Sequence, residues 1–117
     1  MPATYESAVS SLMALGHELL SNRKFDLAHM RRLMEALGNP QRRLQSVLVA
    51  GTNGKGSTAA TLASIVQAAG YRTGLYTSPH LVSINERIQI NQEAISDIEL
   101  AEMYDRVDSA TQILMAS

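Results

Sequence analysis

Apolar residues recur at helical spacing along the first third of the chain. In TYESAVSSLMALGHELL, Tyr5, Val9, Leu12, Gly16 and Leu19 fall three or four positions apart on one stripe, which predicts an amphipathic helix. SNRK interrupts that pattern. FDLAHMRRLMEALGNP predicts a second helix, with Asp26 as N-cap and Leu27, Met30, Leu33, Met34 and Leu37 facing inward. Phe25 would staple onto Met30, and Gly38 and Pro40 supply the stop. Residues 1–43 therefore predict an N-terminal helical hairpin.

From residue 44 the pattern changes. SVLVAG is a short unbroken apolar run, the signature of a strand covered on both faces in a parallel sheet. A helix from about Gly56 to Ala69 follows, with Leu62, Ile65, Val66 and Ala69 inside and Gly70 closing it. YRTGLYT predicts a second strand, SPHLVSINE a loop, RIQI a half-exposed third strand and NQEA a turn. SDIE at 96–99 has capping-box spacing ahead of a last helix carrying Leu100, Met103, Tyr104, Val107 and Leu114 inward. The order α-α-β-α-β-β-α predicts an α/β fold: residues 44–117 begin a parallel sheet flanked by helices, preceded by the hairpin.

Composition narrows the classes. With 45% hydrophobic and 18% charged residues the chain has a globular mixture, and its net charge of -1 gives no global field for nucleic acid or an anionic membrane. The charge is uneven. Residues 1–43 hold Arg23, Lys24, Arg31, Arg32, Arg42 and Arg43, whereas 91–117 hold six acids and one arginine; two solvated helix faces of opposite sign account for this. The absence of cysteine excludes disulfides, thiolate metal sites and cysteine nucleophiles. The N-terminus has no signal-peptide pattern and no apolar run reaches membrane-spanning length, so a cytoplasmic location is expected.

The chemistry concentrates in GTNGKGST, residues 51–58. Glycines between a strand and a helix let backbone N–H groups approach a ligand closely, and the helix start directs its unpaired donors and positive dipole end at the same point. Such a turn suits a phosphate. Lys55 adds a mobile full charge, and Ser57 and Thr58 add hydroxyls of the kind that hold Mg²⁺. The turn departs from the usual G-x-x-x-x-G-K-[ST] loop: Val49 stands at its first glycine, and Gly56 separates Lys55 from Ser57. A plain strand–helix turn with a solvated lysine is the competing account, and the flanking strand and helix patterns favour nucleotide binding over it.

The variant loop GTNGKGS resembles the ATP-binding loop of the Mur ligase superfamily. Together with GLYTSPHLVSINERIQIN at 74–91 and AISDIEL behind it, the chain resembles the dihydrofolate synthase/folylpolyglutamate synthase family from about Tyr5 onward, most strongly over Val47–Leu100. The resemblance implies a P-loop NTPase-like Mur-ligase ATP-binding domain, here partial. It implies that ATP activates a substrate carboxylate as an acyl phosphate, which the amino group of L-glutamate then attacks. Dihydropteroate or a folate would be the acid. Thr52, Asn53, Gly54, Lys55, Gly56, Ser57 and Thr58 would wrap the phosphates, with Lys55 stabilising charge during transfer.

TSPH at 77–80 matches the segment whose serine is a Mg²⁺ ligand in that family, which implies Ser78, beside Ser57, as a metal residue. His80 and Arg87 lie in the stretch that resembles the pterin- and folate-proximal loop; an exposed loop histidine, and an Arg87 pair with Glu86 or a neighbouring acid on a strand edge, are the plain alternatives. Lys24, Phe25, Asp26 and Leu27 occupy the place of the pteroate contact, though capping by Asp26 and core packing by Leu27 explain these residues without any ligand. His17 and His29 lack metal-ligand spacing.

Two departures stand out. The family turn NGEPI is NQEAI here, so a positive φ at Gln92 would be strained. The resemblance also implies that the metal glutamate and histidine, the rest of the sheet and the glutamate-binding domain lie beyond this chain. Ligase turnover by the isolated chain is therefore not expected; the full enzyme is expected to be a monomer and the isolated chain prone to self-associate. The alternative is a stand-alone nucleotide-binding module without ligase activity. A ligase of peptidoglycan synthesis is disfavoured by TSPHLVSINERI.

Overall fold

A computed structural model of the chain describes residues 2–22 and 27–116, with side chains described for 2–14 and 27–116. The chain divides into two compact units: Met1–Gln45 with Ile98–Ser117, and Ser46–Asp97.

The first unit is helical: α1 (Tyr5–Asn22), α2 (Leu27–Ala36) and α4 (Asp97–Ala116), the last running into it from residue 97. Residues Ala8, Leu100, Ala101 and Ala110 are buried. The backbone N–H of Ala3 donates to both carboxylate oxygens of Asp105 at 2.9 and 2.8 Å, tying the start of the chain to α4 across 102 positions. α2 ends as the glycine predicts. Gly38, at φ 84°, donates to the Glu35 carbonyl and Asn39 to the Met34 carbonyl, a Schellman closure that satisfies two terminal carbonyls. The inward stripe predicted for α2 is corrected: Leu27 and Met30 are exposed, while Leu33, Met34 and Leu37 are half-buried. Met103 and Val107 of α4 are likewise exposed. A periodic stripe identifies an apolar face but not whether anything covers it.

The second unit contains α3 (Lys55–Ala68) and a sheet of β1 (Gly74–Tyr76), β2 (Ile88–Ile90) and β3 (Glu93–Ala94), in the order β1-β2-β3. α3 closes on Gly70 with the same motif as α2, Gly70 donating to Gln67 and Tyr71 to Val66. Both sheet pairings are antiparallel. This corrects the parallel sheet expected from the sequence. The run 46–51, read as its first strand, joins no sheet among the described residues; Val47 is 74% and Leu48 92% exposed. A fully apolar strand forms only between two neighbours that each complete its hydrogen bonds, and none of the described residues offers them. Ile65, predicted inside α3, is also exposed.

The NQEA segment is a two-residue turn followed by β3. Asn91 and Gln92 have φ of 51° and 69°, the sense of twist that tight hairpins require. Asn91 suits this geometry and fixes it twice, accepting on Oδ1 from the Thr73 N–H at 2.9 Å and donating its own N–H to the Thr73 carbonyl at 2.8 Å. Gln92 has no such compensation. Replacing it with glycine is expected to raise stability by about 0.5–1 kcal/mol, the left-handed strain less the entropy glycine adds to the unfolded chain. A higher urea midpoint with an unchanged slope would register it.

Candidate functional site

The glycine turn holds the geometry its composition demands. Gly54 sits at φ 73°, a left-handed conformation that L-residues rarely adopt, and is the N-cap of α3. Lys55 is therefore the first helical residue, one position earlier than the apolar pattern placed the helix. Thr58 makes the first helical bond of this turn, its N–H donating to the Gly54 carbonyl at 2.9 Å. The N–H groups of Lys55, Gly56 and Ser57 precede that bond and constitute the donor end of the helix. A Cβ built on Gly51, Gly54 or Gly56 would meet nothing within 4 Å, so the glycines are used for conformation and open approach, not for tight packing. Residues 51–58 are all exposed, the Lys55 side chain among them. An exposed cation beside free helix-start donors is an arrangement that binds phosphate. The Thr61 hydroxyl donates to the Ser57 carbonyl at 2.8 Å and anchors the first turn of α3 from behind.

The second cluster lies in the connection from β1 to β2. Ser78 is exposed, and its bond to Pro79 is cis. Ser83 caps a short 3₁₀ turn, Ile84–Arg87, and forms a capping box with Glu86. One Glu86 oxygen accepts from the Leu81 N–H at 3.0 Å, the other from Val82 and Ser83 at 2.8 and 2.7 Å. These backbone donors, Ser83 first, hold the Glu86 carboxyl below its ordinary pKa against the opposing effect of desolvation; nearby His80 adds a smaller push in the same direction. Asn85 is buried. Its amide nitrogen donates to the Ile95 carbonyl at 2.8 Å and to Asp97 Oδ1 at 3.0 Å, joining the loop to the start of α4.

Sequence reasoning placed Arg87 against Glu86 as its plain alternative, and that pairing is corrected. Glu86 is engaged by its three backbone donors, and the Arg87 Nε–H donates instead to His80 Nδ1 at 2.8 Å. His80 is accordingly half-buried. The two residues that the resemblance singled out thus touch, although seven positions separate them. Of the pteroate-side group, Lys24, Phe25 and Asp26 lie outside the described residues, and Leu27 is exposed at the start of α2. Sequence reading missed the anchoring roles of Asn85 and Glu86. The Ser83-Ile84-Asn85-Glu86 spacing was the available signal, since it repeats the capping-box pattern recognised at 96–99.

A divalent cation does not fit the protein donors by themselves. Among the described residues no group of three His, Cys, Asp or Glu side chains converges, and Ser57 and Ser78 offer only neutral hydroxyls where Mg²⁺ wants carboxylate or phosphate oxygen. No helix among the described residues is long and apolar enough to cross a membrane.

No family model matches the chain. Individual proteins do. Over 88 residues it is 42% identical to the dihydrofolate synthase/folylpolyglutamate synthase of Bacillus subtilis, a match covering 75% of this chain and 20% of that protein. The solved folylpolyglutamate synthetase from Lactobacillus casei superposes with a TM-score of 0.88 at 35% identity, covering 98% of this chain and 28% of that one. The Mycobacterium tuberculosis folylpolyglutamate synthase complexed with ADP superposes with a TM-score of 0.74 at 37% identity, covering 91% and 24%. The chain spans about a fifth of the length of the curated relatives it matches.

Proposed function

The chain is, by sequence and fold, a segment of the dihydrofolate synthase/folylpolyglutamate synthase family, and we propose that it supplies the phosphate-binding turn of an ATP-dependent ligase. The reaction is the joining of L-glutamate to dihydropteroate, to folyl-glutamates or to both. The γ-phosphoryl group of ATP passes to an oxygen of the acid's carboxylate, releasing ADP. The amino group of glutamate then attacks the acyl carbon, the C–O bond to phosphate breaks, and phosphate leaves as the amide forms. The N–H groups at the start of α3 and the Lys55 ammonium group take up charge on the transferring phosphoryl oxygens. Thr52, Asn53, Gly54, Gly56, Ser57 and Thr58 line the path of the phosphates. Ser57 and Ser78 would each offer one neutral hydroxyl to a Mg²⁺ ion carried in on the triphosphate, whose phosphate oxygens would supply the anionic donors.

The observation that carries this reading is Gly54 in the left-handed conformation, capping α3 with Lys55 directly behind it and the whole turn open. The likeness to a synthase solved with ADP supports it. Extending the same architecture, the run 46–51 becomes the central strand of a parallel sheet once neighbouring strands flank it, within a Mur-ligase-type domain.

The test uses both lengths of protein. The full-length enzyme containing this segment, given ATP, Mg²⁺, dihydropteroate and glutamate, is expected to form ADP and amide in equal amounts. The 117-residue chain is expected to bind ATP without sustained turnover. Amide formation by the short chain would refute the division of labour; its absence from the full-length enzyme would refute the reaction. A folded monomer that binds ATP tightly would instead favour a stand-alone nucleotide-binding module, whereas the exposed Val47 and Leu48 favour a chain that requires further strands.

A further inference from the structure

Of the chain's asparagines, only Asn53 precedes a glycine. Such a pair can react with itself. The backbone nitrogen of the second residue closes on the side-chain carbonyl of the first, and a glycine there puts no side chain in the way. The structure leaves this step open. Asn53 and Gly54 are exposed and lie ahead of α3, outside its hydrogen-bonded backbone. Neither the Gly54 N–H nor the Asn53 side chain makes a hydrogen bond among the described residues. A Cβ built on Gly54 would meet nothing within 4 Å, so the ring has room to close. The other asparagines are each hindered. Asn39 precedes Pro40, which has no N–H to give up. Asn85 is buried, and its amide nitrogen is bonded to Ile95 and Asp97. The Asn91 side-chain oxygen is held by the Thr73 N–H, and Asn22 precedes the bulky Arg23.

We infer that Asn53–Gly54 is a self-modifying site whose deamidation shuts the glycine turn to phosphate. The Gly54 nitrogen, losing its proton, bonds to Asn53 Cγ. The Cγ–Nδ2 bond breaks, ammonia leaves with that proton, and a succinimide remains. Water then opens the ring. Attack at Cγ gives aspartate, whereas attack at the main-chain carbonyl gives isoaspartate, whose backbone runs through Cβ. Water enters and ammonia departs; nothing is oxidised or reduced. Either product sets a carboxylate directly before Gly54 and Lys55. The positive end of α3 tolerates that charge, so the helix should persist. The carboxylate nevertheless competes with phosphate oxygens for the same donors and repels them. Isoaspartate, one methylene longer in the backbone, also disturbs the approach to the Gly54 cap. The loss of ATP binding rests on the proposed function; the modification itself does not.

The test incubates the 117-residue chain at mildly alkaline pH and follows its peptides by mass spectrometry, with isoaspartate read by isoaspartyl methyltransferase labelling. Amide should convert to acid at Asn53 at least tenfold faster than at any other asparagine, and faster as pH rises. The rate should be no less than a tenth of that in a free peptide spanning residues 51–57. A smaller margin over another asparagine would overturn the proposal. So would a slower rate than that limit, because the fold would then be closing the site. Asn53→Asp, made directly, should bind ATP at least tenfold more weakly than the unmodified chain, and unchanged affinity would refute the inactivation. If that variant does not fold, the incubated chain, enriched in its acid form by ion exchange, takes its place. Saturating ATP should slow the conversion at least threefold, and adenosine, which lacks phosphates, should not. Conversion at Asn53 in a chain that never binds ATP would sink the ligase reading and leave the modification standing. An intact Asn53 in a chain that binds ATP would do the opposite.

Discussion

Replacing Lys55 with alanine is expected to reduce ATP affinity ten- to a hundredfold, the equivalent of losing about 1.5–3 kcal/mol of charge-assisted hydrogen bonding. In the full-length enzyme the phosphoryl-transfer rate should fall further, by about 10²–10³, because the ammonium group acts most strongly on charge that develops during transfer. Binding should be weakened and not abolished. The N–H groups of Lys55, Gly56 and Ser57 belong to the backbone and survive the substitution, and Gly54 still caps α3. Stability should barely change, since Lys55 is exposed. Calorimetric titration of ATP into both variants, beside Lys55→Arg as a charge-preserving control, separates these contributions. Unaltered ATP affinity in the alanine variant would remove the basis for assigning this turn to a nucleotide.

Asn85→Ala should be the most damaging single change to the second unit, lowering stability by about 2–4 kcal/mol. Asn85 is the buried polar residue of that unit, 6% exposed, and its amide group bonds Ile95, Asp97 and the Ser83 hydroxyl. Alanine would strand the half-buried Ile95 carbonyl without its donor, and an unsatisfied buried acceptor costs more than the mean value of a hydrogen bond. Asn85→Asp should be as harmful for a different reason: it would set a carboxylate beside the Asp97 oxygen now 3.0 Å from the amide nitrogen. Chemical denaturation followed by circular dichroism measures both. A loss under 1 kcal/mol for the alanine variant would show that the loop is held by Glu86 and not by Asn85.

Local chemistry was legible in the sequence wherever a few adjacent residues decide the outcome. The glycine stops at Gly38 and Gly70 could be read directly, as could the start of α3 near Gly54 and the strain at Gln92. Each depends on φ preferences that no tertiary contact needs to supply. What was not legible depends on partners distant in the chain. SVLVAG has every property of a buried strand except neighbours, and no periodicity count can supply those. The expected parallel crossover from SVLVAG through α3 to β1 needs that run to join the sheet; the described sheet is instead built on β1 and β2, joined by a loop that returns the chain antiparallel. The alternative pairing of Arg87 with Glu86 failed because adjacency looked like a pair, while the claim on Glu86 came from three backbone donors that residue types do not reveal.

The unladdered run before Gly51 bears on how the glycine turn works. Its exit is clamped by α3, whose first hydrogen bond fixes Gly54 and Thr58. The approach from Val47 to Ala50 lies outside any sheet. If the turn seats a phosphate as proposed, its α3 side is set by the helix's own hydrogen bonds, and each residue of the approach that binding immobilised would cost roughly 1–2 kcal/mol of backbone entropy. Strands added beside this run would not touch the nucleotide, yet they would tighten its hold by settling the turn in advance.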